Sequence, residues 1–146
     1  MQRKWFVLAG SMLAGLVLCA GFTAADEDSP LHKLMEQVNA KNSLLTKGTR
    51  NETAYKKARK DVVKAAEELV KLGKEAKPLK DAVKKAKDVK DADAKWDAMM
   101  DDFIKASDAL AKVVASEKAT QVEAKAAHAV VKKSCTPCHD VFRVEE

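Results

Sequence analysis

The feature that most constrains this chain lies near its C-terminus, where the sequence reads Cys135-Thr136-Pro137-Cys138-His139. Two thiols three positions apart share one face of a helix, and an imidazole follows the second thiol directly. Both sulfurs can then add to the two vinyl groups on one edge of a haem, while the imidazole supplies an axial nitrogen to the iron. This C-x-x-C-H pattern is typical of covalent haem attachment. We therefore predict that the last helix lies against one porphyrin.

Other interpretations of the two cysteines remain open at this point. A structural zinc site needs about four protein ligands, whereas this chain has no second C-x-x-C and its other histidines are His32 and His128. A thioredoxin-type redox pair is expected at the start of a helix in a strand-helix-strand unit, but these cysteines follow a long helical stretch. Exported proteins with two cysteines often contain a disulfide. The histidine after the second cysteine favours thioether bonds over these alternatives.

The first 25 residues have the features of an export signal. Arg3 and Lys4 precede a mostly apolar run from Trp5 to Cys19, and small residues lead up to Ala25. Cleavage after Ala25 would leave residues 26–146 as the mature domain. Because the segment carries two basic and no acidic residues, cleavage would lower the formal net charge from +5 to +3. We therefore expect a periplasmic protein, with no charge excess that would favour nucleic acid.

Two alternatives apply to this N-terminal segment. The apolar run is close to the minimum length of a membrane span, so an uncleaved segment could anchor the protein to the membrane. The sequence before Cys19 loosely resembles a lipoprotein signal, although Leu18 is large where a small residue is expected. In the cleaved form, Cys135 and Cys138 are the remaining thiols.

The rest of the sequence predicts helices. Charged residues make up 34% and aromatic residues 5% of the chain, and Gly and Pro are scarce. We predict a first helix from Pro30, capped by Ser29 and ended by Gly48. A capping box at Thr49 and Glu52 is expected to open the second helix.

Two further helices complete the predicted fold. Residues 74–92 are expected to form a loosely packed connection with a short helix at about 79–89. Asp93 is expected to cap the third main helix, and the last is expected to follow a turn at 116–120 and reach Phe142. Four amphipathic helices with mostly short links predict an all-α, antiparallel up-and-down four-helix bundle with covalently bound haem.

The C-terminal residues resemble a known family. The haem motif, followed by Phe142 and Arg143, is similar to the end of class II cytochromes c, the cytochrome c′ family. Most c-type cytochromes carry this motif near the N-terminus, so its position here is diagnostic. Trp96 and Phe103, seven residues apart in the third main helix, are also similar to that family. The resemblance covers Pro30 to Arg143 and is weakest in the second helix.

This resemblance implies a set of haem contacts. Cys135 and Cys138 would carry the thioether bonds, and His139 would be the proximal iron ligand. Arg143 falls where the family has a basic residue beside the proximal face, although a cation is also favoured at any helix C-terminus. Trp96 and Phe103 would pack on the porphyrin or beside it.

The distal side of the iron decides the function that the resemblance implies. Met35 aligns with the distal residue of the family, and the pattern Leu31-x-x-x-Met35-Glu36-x-x-Asn39 also resembles the first helix of the soluble four-helix b-type cytochrome, in which the corresponding Met binds iron. A Met ligand would give a low-spin electron carrier. Met35 acting only as a packing residue would give a five-coordinate, high-spin protein that binds NO or CO. High-spin members usually have Arg where this chain has Leu31, so the sequence favours ligation.

Other residues fit less specific roles. We expect His128 to lie about 16 Å along the last helix from His139, too far to share its iron, and Met99 and Met100 to belong to the core. His32 is expected at an exposed helix start. No phosphate loop or nucleophile elbow indicates an enzyme. We expect a one-electron carrier with redox partner proteins, and the resemblance also allows a homodimer.

Overall fold

The computed structural model describes residues 29–86 and 88–143, and every regular element within them is a helix. The predicted export segment lies outside these residues. The helices are α1 Pro30–Gly48, α2 Glu52–Ala76, α3 Asp81–Lys85, α4 Ala92–Ala115 and α5 Gln121–Phe142. The all-helical fold predicted from the sequence is confirmed.

The four long helices pack as an antiparallel bundle. α1 packs mainly on α2, α2 on α4, and α4 on α5, whereas α1 and α5 meet more sparsely. α2 and α4 each carry a continuous stripe of buried side chains. Their largest buried side chains are Tyr55, Val62, Leu69 and Leu72 on α2, and Trp96, Met100, Phe103, Leu110 and Val114 on α4.

Both ends of α1 lie where the sequence predicted, but Gly48 has a different role from the one expected. Ser29 caps α1 by accepting a hydrogen bond from His32 N at 3.1 Å, as expected. Gly48 is the last residue of α1 and has no positive φ; a Cβ there would lie 2.5 Å from a methyl of Val62. The glycine therefore allows close packing of α1 on α2 rather than a left-handed turn.

The predicted capping box of α2 is wrong. Asn51 is the N-cap, and its side chain accepts a hydrogen bond from Ala54 N at 2.8 Å. The Thr49 hydroxyl is buried and instead donates to the Leu45 carbonyl at 2.7 Å. Since both Thr and Asn are good caps, the pattern alone could not separate them.

The starts of α4 and α5 also differ from expectation. Asp91, not Asp93, occupies the N-cap position of α4 and adopts a left-handed backbone with φ of 55°. A complete capping box opens α5, because Thr120 accepts from Glu123 N while the Glu123 carboxylate accepts from Thr120 N. The turn at 116–120 and the extent of α5 to Phe142 are confirmed.

The connection between α2 and α4 is fixed at its start and loosely packed afterwards. Lys77 pairs with Asp101 at 2.6 Å, and Lys80 pairs with Asp97 at 2.5 Å. The short helix α3 that follows has no buried residue. This agrees with the predicted loose packing, although α3 is shorter than expected.

The described helices give no candidate for a membrane span. None of them combines the length and the apolar character needed to cross a bilayer. The alternative of an N-terminal anchor concerns residues outside the described part of the chain.

Candidate functional site

The two motif cysteines lie on the inward side of α5. Cys135 and Cys138 are half-buried free thiols that pack against the hydrophobic core. The Cys135 thiol lies 3.4 Å from the Val131 carbonyl, to which it donates. α5 continues through Pro137 to Phe142, although Pro137 has no N–H to donate to the Lys133 carbonyl. The helix thus presents both sulfurs to one end of the bundle.

Burial suppresses the reactivity of these thiols. It raises the pKa of Cys135, and burial together with the neighbouring Cys135 raises the pKa of Cys138 to about 11. A thioredoxin-type nucleophile instead needs a lowered pKa, which a helix N-terminus helps to provide. The position of this pair in the last turns of α5 therefore argues against that interpretation.

His139 and Arg143 lie on the solvent side of the same helix end. Both residues are exposed, and Arg143 is the C-cap of α5, where its backbone N–H donates to the His139 carbonyl at 3.1 Å. The His139 ring is therefore accessible at the surface, adjacent in sequence to the half-buried Cys138 sulfur.

An aromatic pair closes this end of the bundle. Trp96 of α4 and Phe142 of α5 are in edge-to-face contact, with ring centroids 5.4 Å apart and planes at 87°. The Trp96 indole N–H donates to the Lys77 carbonyl at 2.8 Å. Phe142, the aromatic residue that follows the motif, is therefore the partner of Trp96, one turn beyond Cys138.

Phe103 lies in the interior of the same region. Its ring packs against Gly73 of α2, where a Cβ would lie 2.9 Å from a ring carbon. A glycine weakens a helix interior, but α2 continues through Gly73 to Ala76. Gly73 instead provides space for an aromatic side chain from α4, and no sequence pattern pointed to that contact.

Two side-chain hydrogen bonds set the register between α1 and α5. Gln121 Nε2 donates to the Thr49 carbonyl at 2.5 Å, and His128 Nε2 lies 3.1 Å from Asn42 Oδ1. Thr49 and Asn42 are seven residues apart, and so are Gln121 and His128. Since seven residues make nearly two helical turns, both pairs lie where α1 and α5 face each other. We call this contact line the α1–α5 seam.

The same register relates Met35 to the motif. Met35 lies seven residues before Asn42, and Cys135 lies seven residues after His128. Both side chains are half-buried and packed on the core. Seven residues are close to two helical turns, so continuing this register places Met35 at the level of Cys135. His139 lies one turn farther, at the level of Leu31. The register therefore gives Met35, the predicted distal residue, the same level along the bundle as Cys135.

His128 is a buried neutral histidine. It is 2% exposed, and burial, with a smaller effect from the cation of Lys132, lowers its pKa to about 4. Its neutral Nε2–H tautomer can donate to Asn42. No sequence pattern pointed to Asn42 as its partner.

Apolar side chains at the motif end are only partly covered. A cleft of about 240 Å³ opens between the connection that contains α3 and the end of α5. Its lining includes Ala82, Ala86, Val89, Val141 and Arg143. Leu34, Met35, Met99, Cys135, Cys138 and Val141 are half-buried around the same end. The protein alone therefore leaves apolar surface exposed to water there.

The remaining candidate ligands do not gather into a metal site. Within residues 29–86 and 88–143, no three His, Cys, Asp or Glu side chains are grouped as ligands for a metal ion. His32 is exposed and lies 3.8 Å from the Glu36 carboxylate. The zinc interpretation, which needs about four protein ligands, has no support in this part of the chain.

No protein-family model, curated protein or solved structure matches this chain.

Proposed function

We propose that this protein is an exported, periplasmic monohaem c-type cytochrome of the class II type that carries one electron at a time between redox partners. Haem would be bound through Cys135 and Cys138, with His139 as the proximal and Met35 as the distal iron ligand. The observation that carries the proposal is the register of the α1–α5 seam, which, continued along both helices, gives Met35 the same level as the motif.

The sulfur pair fits covalent attachment of a haem. Both thiols lie on one side of α5 and are half-buried against apolar side chains, so a flat apolar group attached there would cover surface that is now exposed to water. Their raised pKa values favour the protonated thiol at neutral pH. Adventitious oxidation of the pair is thereby slowed, because the thiolate is the reactive form.

The side chains of the two proposed axial ligands would also reach the same level along the bundle axis. His139 is at the level of Leu31, one turn from Met35, and helical side chains lean toward the N-terminus of their own helix. In antiparallel helices, the Met35 and His139 side chains therefore lean toward the same level. Met35 is half-buried and His139 is exposed, as expected if a group lies between an inner and an outer ligand.

Bound haem supplies an iron that accepts and donates one electron, and a thioether as sixth ligand raises its potential and closes it to gases. The chain would supply the surroundings that adjust this chemistry. Trp96 and Phe142 close the end of the bundle, and the buried Phe103 and Leu31 exclude water from its interior.

The first test is a mass measurement on protein exported from a cell with haem-attachment machinery. We expect the wild type to gain the mass of one haem, and the Cys135→Ala/Cys138→Ala variant to gain none. Ser134→Ala, a neighbouring change outside the motif, is the matched control. A wild type with two unmodified thiols would refute the proposed function.

The second test concerns the distal ligand. Met35→Ala should convert a low-spin reduced spectrum into one that responds to CO, whereas Met99→Ala, which removes a half-buried methionine of α4, should not. If the wild type already binds CO and Met35→Ala leaves its spectrum unchanged, Met35 is a packing residue. The protein would then be a five-coordinate haem protein that binds NO or CO.

A further inference from the structure

Carboxylates are distributed unevenly among the four long helices. No Asp or Glu occurs in residues 124–139 of α5 or in residues 37–50, which include most of α1. α4, diagonally opposite α1 in the bundle, carries five aspartates. The exposed carboxylates of α5 are therefore at its two ends, at Glu123 and Asp140, and the helix surface between them has none.

The outer surface of α5 is also unusually apolar. Among the described residues, Val122 and Val130 are the exposed large hydrophobic side chains, with 71% and 56% of their surface accessible. Ala126, Ala129 and Pro137 are exposed between and beyond them. Their spacing places these residues along one side of the helix.

Cations border and interrupt this apolar stripe, because Lys125 and Lys132 lie along one side of it and Lys133 lies within it. Lys125, Lys132 and Lys133 are exposed, and no ion pair involves any of them within the described part of the chain. We call these three lysines, together with Val122, Ala126, Ala129, Val130 and Pro137, the α5 outer face. It ends beside His139, so it adjoins the proposed electron-transfer centre.

We propose that the α5 outer face docks a protein redox partner that carries a carboxylate-rich patch with a small apolar centre. This inference rests on the proposed function, because it names the kind of partner that would exchange electrons through the motif end. Unpaired lysines would steer an acidic surface toward α5. The exposed valines and alanines would then supply the apolar contact of a small, short-lived interface.

A second copy of the chain fits this face poorly. Pairing two α5 outer faces would bring lysines against lysines, which opposes association. The acidic helix α4 is no better a partner, because Lys77, Lys80 and Lys112 already pair with its aspartates. Polynucleotides need a denser array of cations than this mild charge balance provides.

The experiment uses the ¹⁵N-labelled mature protein and two probes of opposite charge. Flavodoxin is a strongly acidic electron-transfer protein, and mitochondrial cytochrome c is a basic one. We expect flavodoxin to shift the amide resonances of the α5 outer face at low salt, with the shifts lost at high salt. Cytochrome c should leave them unchanged.

Charge-reversal variants supply the matched comparison. Lys125→Glu/Lys132→Glu/Lys133→Glu should weaken flavodoxin binding by about tenfold or more at low salt. Lys57→Glu/Lys60→Glu/Lys64→Glu makes the same charge change on exposed positions of α2 and should have a much smaller effect. Electron transfer from reduced flavodoxin, measured by stopped flow, should follow the same order.

Several outcomes would overturn the proposed docking. These are equal weakening by both triple variants, resonance shifts confined to another helix, or binding of anionic vesicles or DNA at this face without binding of flavodoxin. Resonance mapping does not need a haem, so it reports on docking even if the proposed function fails. A haem-loaded protein that exchanges electrons without docking at α5 would refute this inference alone.

Discussion

At the scale of single residues, His128 links protonation to the stability of the α1–α5 seam. Its pKa of about 4 lies below the ordinary value of 6.5 because the imidazole is buried. The unfolded chain therefore binds more protons than the folded chain between these two pH values, and folding stability must fall as the pH falls through that window. The neutral ring also keeps the seam contact with Asn42.

We predict that the free energy of unfolding decreases by up to about 3 kcal/mol between pH 6.5 and pH 4 because of this one group. His128→Gln should remove most of that slope, whereas the exposed His32→Gln should retain it. Urea denaturation of haem-free protein at half-unit pH steps measures the effect. Hydrogen bonds from Lys41 and Thr120 lower the pKa values of Glu68 and Glu123. These two carboxylates therefore change the stability mainly below pH 4.5, their ordinary pKa. An unchanged slope in His128→Gln would contradict the prediction.

At the scale of the helices, the elements and several of their ends were predictable, but the N-caps of α2 and α4 were not. The spacing of apolar residues identified each long helix, because burial of one face dominates its energetics. The N-caps were harder to predict, because neighbouring residues can cap a helix with similar free energy. Thr49 and Asn51 compete in this way at α2, and Asp93 and Asp91 compete at α4. Gly48 and Gly73 serve contacts with other helices, and a pattern within one helix carries no information about its neighbour.

Arg59 shows how such contacts complete a helix end. Its guanidinium, on α2, donates to the carbonyls of Val114, Ser116 and Ala119 around the C-terminus of α4. It also donates to the Tyr55 hydroxyl at 3.2 Å. The Val114 carbonyl lies in the last turn of α4, where helical N–H donors run out, and the Ser116 carbonyl also accepts from Ala119 N at 2.9 Å. The guanidinium adds hydrogen bonds at this helix end and offsets the negative end of the α4 dipole.

We therefore predict that Arg59→Lys lowers the free energy of unfolding by about 1 to 3 kcal/mol, since an ammonium cannot reproduce the planar fork of donors. Arg50→Lys, at an exposed position, is the control and should change it by less than about 0.5 kcal/mol. Chemical denaturation of both variants at neutral pH provides the comparison. Equal stability of Arg59→Lys and the wild type would mean that water satisfies these carbonyls.

At the scale of the whole molecule, the sequence predicted a bundle with its chemistry at one end, but not the arrangement around that end. The motif identified Cys135, Cys138 and His139 because their spacing is local. Alignment of Met35 with Cys135 depends on the register of two helices that are distant in sequence, which Asn42 and Gln121 help to set. Which side of α5 carries its exposed lysines and valines is likewise seen only when the helices are assembled.

The α1–α5 seam should therefore differ in stability along its length. Hydrogen bonds join the helices at Thr49 and at Asn42, whereas the motif end has half-buried apolar side chains and an open cleft. Amides with few buried contacts around them open more readily. If haem completes that end, its loss should loosen α1 near Met35 and α5 near Cys135 while the opposite end keeps its protection.

We predict that Cys135→Ala/Cys138→Ala, made without haem, exchanges the amide hydrogens around Met35 and Cys135 at least about tenfold faster than the haem-loaded wild type. Amides around Leu45 and Ala124, at the other end of the seam, should change by much less. Haem-loaded Ser134→Ala is the control, because it changes a neighbouring residue without removing haem and so shows the effect of a substitution alone. Hydrogen exchange followed by NMR gives each rate. A uniform change along both helices would show that the bundle opens as one unit and that haem does not complete the motif end.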